Sequence, residues 1–200
     1  MNPPDGDDAH LNERTIASEE ILRGRFLHAK RDTVELPDGS TATREYILHP
    51  GAVMMIPLLD DGTVALERQF RYPMQRVMTE FPAGKIDPGE DHLVCARREL
   101  LEETGYVARE WAHAGVLHPV ISYSDEFIGI WFCRGLRQSE RKLDHGEFLD
   151  VISATPEQLL EWCRDGKVTD SKTLIGALWL QNVLSGAWTL DWRVVPESPS

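Results

Sequence analysis

The spacing of apolar positions changes twice along this chain. In the first third they form short extended runs. Residues 26–36 and 41–48 flank Pro37-Asp38-Gly39, and residues 52–59 and 63–70 flank Asp60-Asp61-Gly62. Proline presets φ for a turn and glycine accepts positive φ, so each pair predicts a β-hairpin. Within 52–59, Val53, Met55 and Pro57 alternate with Met54, Ile56 and Leu58. Both faces are apolar, which predicts a central strand covered on both sides. A helical stretch follows over 92–104, with Asp91 as N-cap and Gly105 as the residue that ends it. Extended segments return at 111–117, 127–136 and 147–153. Two helices come last. Pro156–Arg164 follows Thr155, with its proline at the first helical position. Ser171–Leu184 carries Leu174, Leu178 and Gln181 at helical spacing.

Strands, one helix, strands, then two helices is not a regular βαβ alternation. It predicts an α/β or α+β sandwich with a mixed sheet between helices. The expected division is a disordered polar tail over 1–15, an N-terminal β element over 16–50, one main domain over 51–190 and a tail over 191–200.

Composition narrows the chemistry. Two hundred residues with 42% apolar content allow one real core. A net charge of -12 argues against nucleic-acid backbones and anionic membranes as partners. Cys95, Cys133 and Cys163 are too few and too scattered for a disulfide framework and fit reduced thiols in a cytoplasm. No run of about 18 apolar residues predicts a membrane span.

The helix over 92–104 carries the candidate chemistry. With one residue every 100° and Leu93 at zero, Glu99, Glu102 and Glu103 fall at about 240°, 180° and 280°. Leu93, Val94, Leu100, Leu101 and Thr104 fall on the other half, which predicts an apolar inward face. Cys95 and Ala96 are small and fall near the carboxylates, which would leave room for a ligand. Crowded carboxylates repel unless a cation joins them, and hard oxygen donors suit Mg²⁺. Such a run can also be an ordinary solvated face. Two features favour a built site. Arg98 can pair with Glu90 or Glu102, and the Gly-rich loop 83–89 can bring backbone carbonyls close.

Gly84, Glu90 and then Arg98-Glu99-Leu100-Leu101-Glu102-Glu103-Thr104-Gly105-Tyr106 resemble the Nudix box, G-x5-E-x7-R-E-U-x-E-E-x-G-U, where U is a bulky apolar residue. The resemblance implies an α/β/α sandwich with a mixed sheet. It also implies hydrolysis of a nucleoside diphosphate linked to another group, with Mg²⁺ or Mn²⁺. Residues 66–72 and 80–86, and the later Asp165-Gly166-Lys167-Val168, resemble the ADP-ribose pyrophosphatase group within that family. That likeness implies ADP-ribose or a related nucleoside diphosphate sugar as substrate, with AMP and ribose 5-phosphate as products. It also implies that the N-terminal antiparallel β element helps to build a homodimer and the nucleotide pocket. GDP-mannose, a dinucleoside polyphosphate or a non-catalytic nucleotide sensor are the alternatives. Ile121 stands where the group has a proline marking its substrate, so the likeness speaks to the reaction more than to the sugar.

The resemblance also assigns roles. Ala83 would give a metal-binding carbonyl, and Glu99, Glu102 and Glu103 would give carboxylates. Glu147, or alternatively Glu102 or Glu126, would serve the catalytic step. Arg71, Arg44 and Phe26 would bind substrate. Each of the outlying residues has a plainer reading: Glu147 as a loop carboxylate, Arg71 as a surface charge, Phe26 as core. His49, His118 and His145 are too widely spaced to read as a zinc site.

Overall fold

The computed structural model describes residues 8–143 and 146–196. Its elements run β1 (Arg14–Arg23), β2 (His28–Glu35), β3 (Thr41–Leu48), β4 (Ala52–Pro57), β5 (Val64–Arg71), β6 (Arg76–Glu80), β7 (Ala83–Lys85) and α1 (His92–Glu99). After a π-helical turn, Leu100–Thr104, come β8 (Tyr106–Leu117), β9 (Ile128–Gln138), β10 (Leu149–Ala154), α2 (Pro156–Arg164), α3 (Ser171–Leu184) and β11 (Arg193–Val194). The chain divides into a first unit, up to His49 together with residues 120–126, and a second, Pro50–Pro119 with the residues from Phe127 onward.

The first unit is a three-stranded antiparallel sheet in the order β1-β2-β3. Its β2–β3 turn is the Pro-Asp-Gly sequence: Gly39 takes φ +81°, and Asp38 accepts from the Ser40 N–H and hydroxyl at 2.9 and 2.6 Å. β1 is exposed along its whole length. It is held by pairing with β2 and by Arg31, which reaches Glu19 at 2.9 Å and Glu45 at 2.6 Å. The disorder expected over 1–15 lies outside the described residues up to position 7. From Asp8 it is replaced by a 3-10 turn and the start of β1.

The second unit holds a five-stranded sheet, β11-β8-β9-β4-β7, and a three-stranded sheet, β10-β5-β6. β4 and β9 run parallel, while the other pairs are antiparallel, so the large sheet is mixed. Alternate residues of β4 face two separate cores. Val53 and Met55 pack with Cys95, Ala96 and Leu100 of the α1 segment. Met54 and Ile56 pack with Leu159 of α2 and with Ala177 and Leu180 of α3. The result is the α/β/α sandwich expected.

Several details differ from the sequence reading. α3 buries Lys172, Thr173, Gly176, Ala177 and Leu180, while Leu178 is 54% exposed. Gly176 allows this packing: a Cβ there would lie 2.9 Å from the Phe81 ring and 3.0 Å from Met54. The tail after Trp188 is a strap. β11 pairs with Glu110 and Trp111 on the edge of β8, and Trp192 lies under the Arg134 guanidinium at 4.1 Å. The Arg97 side chain donates to the Pro196 carbonyl at 2.9 Å.

Candidate active site

Asp91 caps α1 by accepting from the Leu93 and Val94 N–H groups at 2.9 and 3.2 Å. Gly105 ends the segment at φ +72°, its N–H donating to the Leu101 carbonyl. Between these caps the helix does not keep α geometry. It widens into the π turn at Leu100, a form concentrated at functional sites. The π turn begins only after Cys95 and Ala96, so what differs from the sequence reading is the choice of inward face: the half of the helix shared with the carboxylates meets the core. Cys95 and Ala96 are fully buried in the core against β4 and leave no ligand space, whereas Val94 is 53% exposed. Glu103, expected on the open face, is buried together with Leu100 and Thr104.

The loop before α1 is shaped around these carboxylates. Glu99 lies directly on Gly84, where a Cβ would sit 1.8 Å from the Glu99 carboxyl carbon. Glu103 accepts from the Ala83 N–H at 3.0 Å. Arg98 ties loop to helix. It donates to both oxygens of Glu90 at 2.9 and 2.8 Å, to Glu99 at 2.8 Å, to Glu102 at 3.2 Å and to the Lys85 carbonyl at 3.2 Å. The Arg98 guanidinium holds the Glu90 carboxyl down to about 2. Glu99 is raised instead, by burial first, with repulsion from Glu102 and Glu147 opposing the help of Arg98.

A second set of charges stands behind the box. Glu80 on β6 accepts from Arg71 through two bonds of 2.8 and 2.9 Å and also pairs with the buried Lys172 of α3. Lys172 reaches Asp170 at 2.9 Å as well. These two cations keep Glu80 ionised despite its burial. Its register partner on β5 is Glu67, which is 0% exposed and has neither carboxylate oxygen hydrogen-bonded. Glu67 and Glu103 face each other within hydrogen-bonding reach, but two carboxylates are both acceptors and need a proton or a cation between them. Burial first pushes both well above the usual carboxylate range, followed by repulsion from Glu80 at Glu67 and from Glu67 at Glu103.

Six of the expected residues thus lie in one neighbourhood: Ala83, Glu99, Glu102 and Glu103, with Arg71 behind them on Glu80 and Glu147 acting electrostatically on Glu99 and Glu103. Among the described residues, no three acidic, histidine or cysteine side chains stand as a ready-made ligand set. Arg98 accounts for part of this by engaging Glu99 and Glu102. The donor chemistry nonetheless fits a hard divalent cation: carboxylates and a backbone carbonyl, crowded until they repel, with orphaned buried oxygens beside them. Arg44, Phe26 and Glu126 belong to the first unit. Arg44 donates to Glu13 at 2.9 Å, Phe26 meets His49 edge-on at 6.2 Å, and Glu126 lies 3.8 Å from His49 Nδ1. His145 lies outside the described residues.

Sequence reasoning missed Glu67, Glu80 and Lys172 as members of this cluster. A carboxylate at the end of the apolar run Val64-Ala65-Leu66 was the available signal for Glu67, because an unpaired acid in a buried strand is costly.

Comparison with known proteins agrees with this geometry. Residues 48–174 match the NUDIX domain, and residues 13–47 match the nucleoside diphosphate sugar hydrolase N-terminal domain. The chain is 39% identical over 175 residues to the methanol dehydrogenase activator of Bacillus methanolicus, covering 86% of this chain and 94% of that one. It is 36% identical over 173 residues to the ADP-ribose pyrophosphatase of Bacillus subtilis, with the same coverage of 86% and 94%. A crystal structure of an ADP compounds hydrolase superposes with a TM-score of 0.80 at 23% identity, over 88% of this chain and 97% of the other, and shows the shared fold. With its box intact and its domain matched across most of its length, this chain belongs to the Nudix family of hydrolases.

Proposed function

We propose that this Nudix hydrolase cleaves, with Mg²⁺ or Mn²⁺, the diphosphate of ADP-ribose or a related nucleoside diphosphate sugar, giving AMP and ribose 5-phosphate from ADP-ribose. The observation that carries this reading is Arg98, which fixes Glu90, Glu99 and Glu102 against a loop whose Gly84 is fitted to the Glu99 carboxylate. Ala83, through its carbonyl, with Glu99, Glu102 and Glu103, would hold the cation. When bound, the cation supplies positive charge against the diphosphate and acidifies a coordinated water.

The remaining roles fall to the chain's own groups. Glu147 takes the proton of the attacking water. Glu102, through the cation, and Glu126, through cation or substrate contact, are the other catalytic candidates. The water oxygen bonds to phosphorus, the bridging P–O bond breaks, and the leaving phosphate carries away the electron pair. Arg71 is half-exposed while its Nε and one terminal nitrogen hold Glu80, so its remaining N–H groups can meet a phosphate oxygen. Arg44 and Phe26 would contribute to substrate binding.

We assign the protein to a cytoplasmic homodimer. The free thiols of Cys95, Cys133 and Cys163 support the compartment. The exposed apolar residues of β1, Ile16, Ile21 and Leu22, support a covering partner. Among the described residues no helix is long and apolar enough to cross a membrane. The function is tested by assaying ADP-ribose, GDP-mannose and a diadenosine polyphosphate with Mg²⁺ and identifying products by chromatography. ADP-ribose should turn over fastest and give AMP. Equal or faster turnover of GDP-mannose would overturn the substrate assignment.

A further inference from the structure

The buried acid on β5 has no role in the reading above. Glu67 is 0% exposed, and among the described residues no N–H or hydroxyl donates to either of its oxygens; the polar group within reach is another carboxylate, that of Glu103. A buried, unpaired carboxylate is among the most costly features a core can hold. Among the described residues, no side-chain cation is directed at it. Arg71 and Lys172 are the nearby cations, and both are directed at Glu80, with Lys172 shared with Asp170. Four carboxylates, those of Glu67, Glu80, Glu103 and Asp170, therefore face two cations. The excess is negative, and it lies on the side of Glu67 and Glu103.

Direction matters as well. β5 alternates, so Leu66 packs into the core with α2 and α3, while Glu67 turns to the opposite face, toward Glu103. Glu103 in turn is anchored on the Ala83 N–H, the residue whose carbonyl is the expected backbone donor. An apolar side chain at position 67 would avoid the cost of burial. A carboxylate held there with empty oxygens is suited to something that brings positive charge into the gap.

We infer that Glu67 is a further oxygen ligand of the divalent cation, supplied from β5, outside the loop and helix of the box, and reaching the cation directly or through one bound water. This rests on the metal reading of the proposed function. It adds that the site spans two sheets: Ala83 comes from β7 in the large sheet and Glu67 from β5 in the small one. A consequence is that Glu67 penalises the metal-free protein and contributes once the cation is present. Metal binding should therefore stabilise the fold more than the box residues alone would give.

The test uses the full chain, with Mn²⁺ as the probe. Binding is read by calorimetry and by the electron paramagnetic resonance signal of free Mn²⁺, and unfolding is read with and without the ion. Glu67→Gln, Glu67→Val and Glu103→Gln are compared with wild type. Glu67→Gln should weaken Mn²⁺ binding about tenfold or more, the scale of losing a supporting ligand. Metal-free Glu67→Val should melt at or above the wild-type temperature and lose most of the Mn²⁺-induced rise. Wild-type Mn²⁺ affinity in both Glu67 variants, with binding lost in Glu103→Gln, would overturn this inference and leave the proposed function standing. Absence of Mn²⁺ binding by wild type would overturn both. If Glu67→Val fails to fold, the Glu67→Gln titration alone decides.

Discussion

Replacing Gly84 by Ala separates site geometry from stability. The new Cβ would lie 1.8 Å from the carboxyl carbon of Glu99, 2.1 Å from its Oε1 and 2.3 Å from its Cγ. Non-bonded carbons settle near 3.5–4.0 Å, so the carboxylate must retreat by about 2 Å. Glu99 is the end of a flexible side chain, so the fold yields at modest cost, about 1 kcal/mol at the low end of overpacking. For a domain of this size that is a melting shift of about 2–4 °C. The chemical cost is larger. A 2 Å retreat breaks the 2.8 Å contact with Arg98 and moves an expected cation ligand out of place. Misplacement by 1 Å can cost about a hundredfold in rate. Gly84→Ala should therefore lose at least a hundredfold in kcat/KM for ADP-ribose with Mg²⁺ while melting within a few degrees of wild type. Activity within threefold of wild type would refute the claim that Gly84 exists to seat Glu99.

The Arg98–Glu90 fork predicts an acid limb. Glu90 is depressed from the ordinary 4.5 to about 2, so its stabilisation is complete above pH 4.5 and is lost as pH falls through 2. The urea midpoint of wild type should fall more steeply between pH 4.5 and 2 than that of Glu90→Gln, and parallel curves would remove Glu90 from the account. Lys172→Met leaves Glu80 and Glu67 short of a buried cation and should destabilise by about 3–5 kcal/mol in urea unfolding. Adding Glu80→Gln should recover part of that loss. Glu147→Gln should lower kcat by about 10²–10⁴ with little change in KM if Glu147 is the base, and a kcat within threefold of wild type would exclude it.

Local signals explain which parts of the fold could be read in advance. α2 and α3 fall at the expected residues because Thr155 and Asp170 cap them with side-chain oxygens and Pro156 fits the first helical position. β4 was readable because both of its faces are buried. β1 was not, since Arg14–Arg23 has no buried face and exists through register with β2 and cross-strand ion pairs. β6 and β7 are short and owe their form to pairing with β5 and β4, partners distant in pattern if not in sequence. The same division runs through the site. Glu90, Arg98, Glu99, Glu102 and Glu103 share one loop and helix, so spacing alone brings them together. Glu67, Glu80 and Lys172 meet only when β5, β6 and α3 assemble. The inward face was misread at Cys95, Ala96, Val94 and Glu103 because the carboxylates were assigned to solvent, whereas β4 and the Ala83 loop, both distant in sequence, cover that side.

That turn also makes the segment sensitive to length. A π turn holds one more residue between its bonded ends than an α turn. Deleting one residue from Leu100–Thr104, for example Leu101, would let the backbone close into an ordinary helix without a gap in its hydrogen bonds. The variant should keep a cooperative urea transition, and no acidic residue would be lost, yet Glu102 and Glu103 would point along new bearings. Insertions and deletions are usually survived in loops and punished in helices. Here the reverse risk holds for function: a helix that tolerates a deletion without complaint would silently disarm the enzyme, so a library that varies length rather than identity should combine a sharp loss of turnover with little loss of fold at Leu101, the one residue of the turn that is neither buried nor acidic.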